Sequence, residues 1–100
     1  MLKVMIRRTA PPGKEKALLD LITQLRMMAS GQNGYISGET LLGTGHPGEF
    51  LVVSVWDSEA DWKKWNANEQ RQELQAKIDA LIGPTTTYST YQYPHHLHTV

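Results

Sequence analysis

The sequence has 100 residues, contains no cysteine, and carries equal numbers of basic and acidic side chains, 10 of each. A chain of this length makes one domain, and its balanced charge argues against nucleic acid and anionic membrane surfaces as partners. The lack of cysteine excludes disulfides and thiolate chemistry, while the charged start and the lack of a long apolar run predict a cytoplasmic protein without a membrane partner.

The first half of the chain predicts a strand, a helix and a second strand. Apolar and polar residues alternate from Leu2 to Thr9, which is the period of a β-strand, and two prolines and a glycine end the run. Residues 34–42 form a second run that suits a strand. Between them, an amphipathic helix is predicted to end near Gly31, because apolar residues recur at spacings of three and four: Leu18, Ile22, Leu25 and Ala29.

The second half predicts a hairpin, further helix and a last strand. Residues 43–48 hold three glycines and a proline, as a hairpin loop would, before a strand over residues 49–56. Ser58 suits the N-cap of a helix, and a second helical stretch follows until Gly83, with apolar residues on one face: Leu74, Ile78, Leu81 and Ile82. Residues 85–93 favour a strand. The order β-α-β-β-α-β predicts a ferredoxin-like α+β fold, with two helices on one face of a four-stranded antiparallel sheet. We assign residues 1–94 to this domain and residues 95–100 to a histidine-containing tail.

The third predicted strand is apolar on both of its faces. A sheet covered by helices on one side should alternate apolar and polar residues, but residues 50–56 are apolar except for Ser54. Leaving the second face in water would forfeit roughly 1.5–3 kcal/mol for each large apolar side chain. We therefore predict a homodimer in which two such sheets pack face to face. The alternative is that a loop or the tail covers this face.

Residues 55–66, Val-Trp-Asp-Ser-Glu-Ala-Asp-Trp-Lys-Lys-Trp-Asn, resemble the segment between the third strand and second helix of antibiotic biosynthesis monooxygenase domains. These domains belong to the dimeric α/β-barrel superfamily, and the order of elements, the Pro-Gly entry to the first helix and residues 34–38 resemble them too. The likeness covers about residues 2–93. It implies a pocket between helices and sheet in which oxygen oxidises a small aromatic or quinol-like compound, without a cofactor. The alternative is a non-catalytic dimeric domain that binds a small molecule or has a structural role.

Two branches of the family differ in the residues that form their active sites. The haem-degrading branch uses an Asn at the end of the first strand, a Trp on the second helix and a His further along. Ile6, Trp65 and Gln75 stand at or near those positions. Since imidazole is the usual haem anchor, haem degradation remains only a third alternative. The quinone-forming branch holds a phenolic substrate with Asn, Trp and Tyr; Trp65 and Asn66 are present, but no Tyr follows on that helix.

The predicted substrate-binding residues are Trp65, Asn66 and Arg7, and no catalytic residue is assigned. Arg7 and Arg8 are neighbours on a strand and therefore face opposite ways, so one of them faces a covered side of the sheet. Arg7 is assigned to favour an anionic form of the substrate, with an ion pair to Glu39 as its alternative role. Trp56 and Trp62 are predicted to pack in the core.

The histidines do not form a convincing metal site. His46 lies in the predicted hairpin loop, where it would be solvated. The tail holds three more that could chelate a metal, but ordering a chain end is unfavourable and no acidic residue lies nearby to support them: His95, His96 and His98. The sequence therefore predicts no metal.

Overall fold

The computed structural model describes residues 1–94, which form four strands and three helices. All strand pairs are antiparallel, in the order β2-β3-β1-β4, so β1 and β3 are central and β2 and β4 are edges. The predicted ferredoxin-like α+β fold is confirmed. None of the helices in this range has the length and apolarity needed to cross a membrane. The elements are β1 Leu2–Thr9, α1 Glu15–Ala29, β2 Tyr35–Leu42, β3 Glu49–Trp56, α2 Glu59–Asn66, α3 Glu69–Ile82 and β4 Thr87–Gln92.

The two helical stretches predicted after Ser58 are separate helices, α2 and α3, whereas the predicted order β-α-β-β-α-β counts them as one. Each helix has its own polar N-cap. The Asn68 side chain accepts a hydrogen bond of 3.0 Å from the backbone N–H of Arg71, which starts a new helix two residues after Asn66. This break lets α2 follow the end of β3 while α3 turns to pack beside α1.

The helix-covered face of the sheet carries the core. Four residues of β1 face the helices, and their partners on β3 lie on the same side. Trp56 and Val4 are 0% exposed, and Leu18, Ile22 and Ile78 from the helices pack onto them in the same cluster. The β1 residues are Leu2, Val4, Ile6 and Arg8, and the β3 residues are Phe50, Val52, Ser54 and Trp56.

The other face of the sheet is apolar at its centre, and no helix of residues 1–94 covers it. Met5 on β1 pairs with Val53 on β3, and both are half-buried in the single chain. Leu41 and Tyr91, on the two edge strands, are 43% and 56% exposed. We call this surface the open face, defined by Met5, Leu41, Leu51, Val53, Val55 and Tyr91. The homodimer that would cover it remains a prediction.

Replacing Ser58 with Ala is expected to reduce the free energy of unfolding by about 1 kcal/mol. The Ser58 hydroxyl accepts the backbone N–H of Asp61 at 3.1 Å and donates to the Asp61 carboxylate at 2.8 Å. Urea denaturation would measure the loss. Ser30→Ala, at the exposed C-cap of α1, is the matched control: its hydroxyl only donates to the Met27 carbonyl, so no backbone N–H loses its acceptor and stability should change by less than about 0.5 kcal/mol. Equal effects of the two substitutions would contradict the prediction.

Candidate functional site

A cavity lies between the helices and the covered face of the sheet. The space inside it is about 30 Å³, which is room for one or two water molecules, so a bound ring requires the side chains that line the cavity to move apart. Aliphatic side chains from β1, α1 and β3 form part of the wall, among them Ile6, Ile22 and Val52. Three indoles and three guanidiniums complete it, and we call it the Arg–Trp cavity after them: Trp56, Trp62, Trp65, Arg8, Arg26 and Arg71.

The indole wall is formed by consecutive elements of the chain. Trp56 ends β3, and Trp62 and Trp65 follow in α2 at a spacing of three, which places both on one face of the helix. The rings of Trp56 and Trp62 meet edge to face at 5.9 Å, and Tyr35 contacts Trp56 at 5.4 Å. The Trp56 indole N–H donates to the Ser54 hydroxyl at 3.1 Å, so its polar atom is already paired. Trp56 is therefore a packing residue, and Trp62 is likewise buried, as predicted.

Arg8 projects from β1 into the helix-covered side. It has the same parity as Leu2, Val4 and Ile6, and it is 2% exposed. Its Nη2 donates a 2.9 Å hydrogen bond to the side-chain oxygen of Gln75 on α3. Burial lowers the pKa of Arg8 to about 10, and the nearby charge of Arg71 acts in the same direction. Arg8 is therefore charged at neutral pH, in a place where charge is unfavourable.

Arg71 reaches the cavity from the first turn of α3. It is 2% exposed, and its Nη2 donates to the Tyr88 hydroxyl at 2.7 Å. Its guanidinium carbon lies 5.7 Å from the centre of the Trp62 ring and 5.4 Å from that of Tyr88. These distances allow cation–π attraction to both rings, which partly replaces the lost hydration of the cation.

Arg26 joins α1 to the edge strand β2. Its Nη2 donates to the backbone carbonyl of Gly38 at 2.8 Å, and its Nη1 lies 3.4 Å from the Thr40 hydroxyl. Gly38 itself lines the cavity and faces the same side as Ser54. The third guanidinium is thus fixed at the β2 end of the cavity by neutral oxygens.

Gln75 connects the two buried arginines. Its side-chain oxygen accepts from Arg8 and, at 3.3 Å, from the Tyr88 hydroxyl that also binds Arg71. Its amide nitrogen donates to Asp79 at 2.9 Å and to Thr86 at 3.0 Å. The position that the resemblance associates with a haem-binding His therefore holds a buried amide whose hydrogen bonds are made within the protein.

The three residues predicted to bind substrate are not brought together. Trp65 lines the cavity, is 5% exposed, and also borders a polar surface recess with Asp61 and Lys64. Asn66, at the end of α2, is not among the lining residues, and its backbone carbonyl accepts from Gln72 at 2.7 Å. Their roles in substrate binding remain predictions.

Arg7 points away from the cavity, toward the open face. Its Nε lies 3.3 Å from the Glu49 carboxylate, and its side chain is 55% exposed. The alternative ion pair with Glu39 is wrong, because Glu39 lies opposite Val53 while Glu49 is next to Arg7 across the β1–β3 pair. A role for Arg7 in substrate binding is untested and would require a second site or a partner chain.

Sequence reasoning missed the arginines of the cavity, although two of them left a signal. Arg8 shares the parity of the apolar β1 residues, which indicates the covered side. Arg71 stands three, four and seven residues before Leu74, Gln75 and Ile78, all buried, so it occupies the core stripe of its helix. A charged residue at a core position is unusual, and such positions often bind a ligand.

The described residues contain no group of three or more His, Cys, Asp or Glu side chains placed to hold a metal ion. His46 is exposed in the hairpin loop, as predicted. His95, His96 and His98 lie outside the described residues.

The chain belongs to the antibiotic biosynthesis monooxygenase family, whose model matches residues 1–77. No curated protein sequence matched. A solved structure described as an antibiotic biosynthesis monooxygenase is 20% identical with a TM-score of 0.82, over 93% of this chain and 98% of that chain. A variant of SnoaB, a cofactor-independent oxygenase from Streptomyces nogalater, is 13% identical with a TM-score of 0.83, over 93% and 92%. A protein from Deinococcus radiodurans is 15% identical with a TM-score of 0.86, over 93% and 92%. At these identities the structures support the fold.

Proposed function

We propose that this protein is a cofactor-independent monooxygenase that acts on a small aromatic or quinol-like compound in the Arg–Trp cavity. The observation that carries the proposal is an indole-walled cavity with guanidinium donors in a member of the antibiotic biosynthesis monooxygenase family. Indole faces suit a flat aromatic ring, and the apolar wall excludes water from it. The likeness to SnoaB, a cofactor-independent oxygenase, supports the same chemistry.

Without a cofactor, the substrate must supply the electrons that reduce oxygen. An anthrone-type substrate does so after losing a proton: its CH₂ carbon becomes a carbonyl that keeps one oxygen atom of O₂, and the other oxygen leaves as water. The described lining of the cavity contains no carboxylate or imidazole that could take the proton. A guanidinium of the cavity would instead lower the pKa of the substrate's CH₂ group by stabilising the anion that forms there, and the proton would pass to solvent.

The same lack of a base favours a second candidate, a domain that binds a small molecule without converting it. The first candidate function converts its ligand and the second does not, but both place the ligand in the Arg–Trp cavity. Fold alone does not choose between them, because the same fold can carry different chemistry.

Oxygen uptake with a panel of hydroquinones and anthrones tests the proposal. We expect saturable uptake above the rate in buffer, and Trp65→Phe should lower kcat/KM by about tenfold, because it removes an indole N–H and part of the cavity wall. Tyr91→Phe, on the open face, is the control and should leave the rate unchanged. Saturable binding without uptake would support the non-catalytic candidate, and an unchanged rate in Trp65→Phe would remove Trp65 from the site.

A further inference from the structure

Two buried guanidiniums face the Arg–Trp cavity without a carboxylate partner. Within residues 1–94, Arg8 and Arg71 take part in none of the ion pairs, which are formed by other, more exposed side chains. Their hydrogen-bond acceptors are the neutral oxygens of Gln75 and Tyr88. The charge of Asp79 favours the charged form of Arg8, but its carboxylate binds Gln75 and forms no salt bridge with either arginine in the described range. Two buried cations with so little counter-charge are unfavourable, and proteins seldom keep them together.

The cavity also has hydrogen-bond donors that the described residues do not use. The Nε of Arg8 is buried and has no partner within residues 1–94. The Nε of Arg26, at the β2 end of the cavity, is also buried and has no partner in that range. Buried polar atoms are usually paired, and an unpaired one in a cavity indicates that a water molecule or a ligand atom accepts from it. Of these two acceptors, only a negatively charged ligand would also offset the charges of the arginines.

We propose that the Arg–Trp cavity binds an aromatic carboxylate, whose carboxylate group is held by Arg8 and Arg71 while its ring lies among the indoles. The planar guanidinium matches a planar carboxylate, and the apolar remainder of the cavity matches a ring. A carboxylate keeps its charge while the ring is oxidised, so it can anchor the molecule throughout a reaction. This inference rests on the proposed function for the identity of the site and deepens it by naming the substrate class.

Binding to the unmodified protein gives the first test. Benzoate and 2-naphthoate would each be titrated calorimetrically against the protein, in parallel with their carboxamides, which have nearly the same shape but no charge. We expect each carboxylate to bind about 10- to 100-fold more tightly than its amide, from charged hydrogen bonds in a buried site. Equal affinities, or no carboxylate binding at millimolar concentration, would overturn the proposal.

Four substitutions assign the preference to residues. Arg8→Met and Arg71→Met should each abolish most of the carboxylate preference, whereas Lys16→Met makes the same change of net charge on the exposed side of α1 and should retain it. Arg7→Met tests the neighbouring arginine on the open face and should also retain the preference. A preference that survives in both Arg8→Met and Arg71→Met, or is lost only in Arg7→Met, would overturn the proposal.

Thermal melting separates a binding role of Arg8 from a structural one. Arg8→Met removes a charge that only the nearby Asp79 carboxylate offsets, and Gln75 keeps the Tyr88 hydroxyl as a donor to its oxygen. The melting midpoint of the ligand-free variant should therefore rise by several degrees. A fall in the midpoint together with an unchanged preference would assign Arg8 to the scaffold and overturn the proposal.

The binding measurements need no oxygen, so the two proposals fail separately. A protein that binds carboxylates but oxidises nothing refutes the proposed function alone. Oxidation of neutral aromatic compounds, with no preference for the carboxylates, refutes the present inference alone.

Discussion

Trp56→Ala is expected to lower the free energy of unfolding by about 3–5 kcal/mol, which is the usual cost of removing a fully buried aromatic side chain. Trp56 is 0% exposed at the end of a central strand. Its ring contacts both Tyr35 and Trp62, so the substitution removes the link between β2 and α2 and enlarges the cavity. Small domains are stable by only about 5–15 kcal/mol, so much of the total would be lost.

Urea denaturation followed by tryptophan fluorescence measures this loss, because two other tryptophans remain as probes. Trp56→Phe is the matched control: it keeps an aromatic ring in the core and should cost roughly half as much. A loss below about 1 kcal/mol for Trp56→Ala would mean that Trp56 is not a core residue, since such values are typical of exposed sites.

Val53→Glu is expected to convert the predicted dimer to a monomer. Val53 lies at the centre of the open face, between Met5 on β1 and Glu39 on β2. A carboxylate there would lie directly opposite that of Glu39, and it would lose its hydration when a second copy covers it. A penalty of several kcal/mol raises the dissociation constant by at least about 100-fold.

Sedimentation velocity at micromolar concentration would show the change in mass, and circular dichroism would show whether the monomer keeps its fold. Thr23→Glu adds the same charge at an exposed position on α1 and should leave the dimer intact. A wild-type protein that sediments as a monomer would refute the dimer itself. A Val53→Glu variant that remains dimeric would place the interface on another surface.

The strands and their order along the chain could be predicted because the residue pattern of a strand involves only neighbours in the sequence. β1 ends where its alternation ends, β3 ends with its apolar run at Trp56, and the four apolar residues predicted to lie on the inner face of α1 are buried as their spacing indicates: Leu18, Ile22, Leu25 and Ala29. The position of the break between α2 and α3 was not predicted, because a single polar residue marks it: Asn68, the N-cap of α3.

The cavity depended on information that is not local. Parity alone places Arg8 on the covered side, but the role of Arg8 depends on Gln75, which lies 67 residues away along the chain. Arg71 depends on Tyr88, 17 residues away on a strand that pairs with β1. Trp65 was identified through the resemblance, and its burial beside the arginines required the fold.

The glycine of β2 that accepts a hydrogen bond from Arg26 gives the cavity an adjustable depth. Gly38 has an ordinary backbone φ, so any residue could adopt its conformation. A Cβ there would first meet the hydroxyl end of the Tyr35 side chain, a group that can move. A larger residue at this position would displace the Tyr35 ring and shorten the space available to a bound ring, without removing any of the three guanidiniums. Relatives of this protein could thus evolve to accept smaller or larger molecules through a single strand position, without any change in the charge that the site recognises.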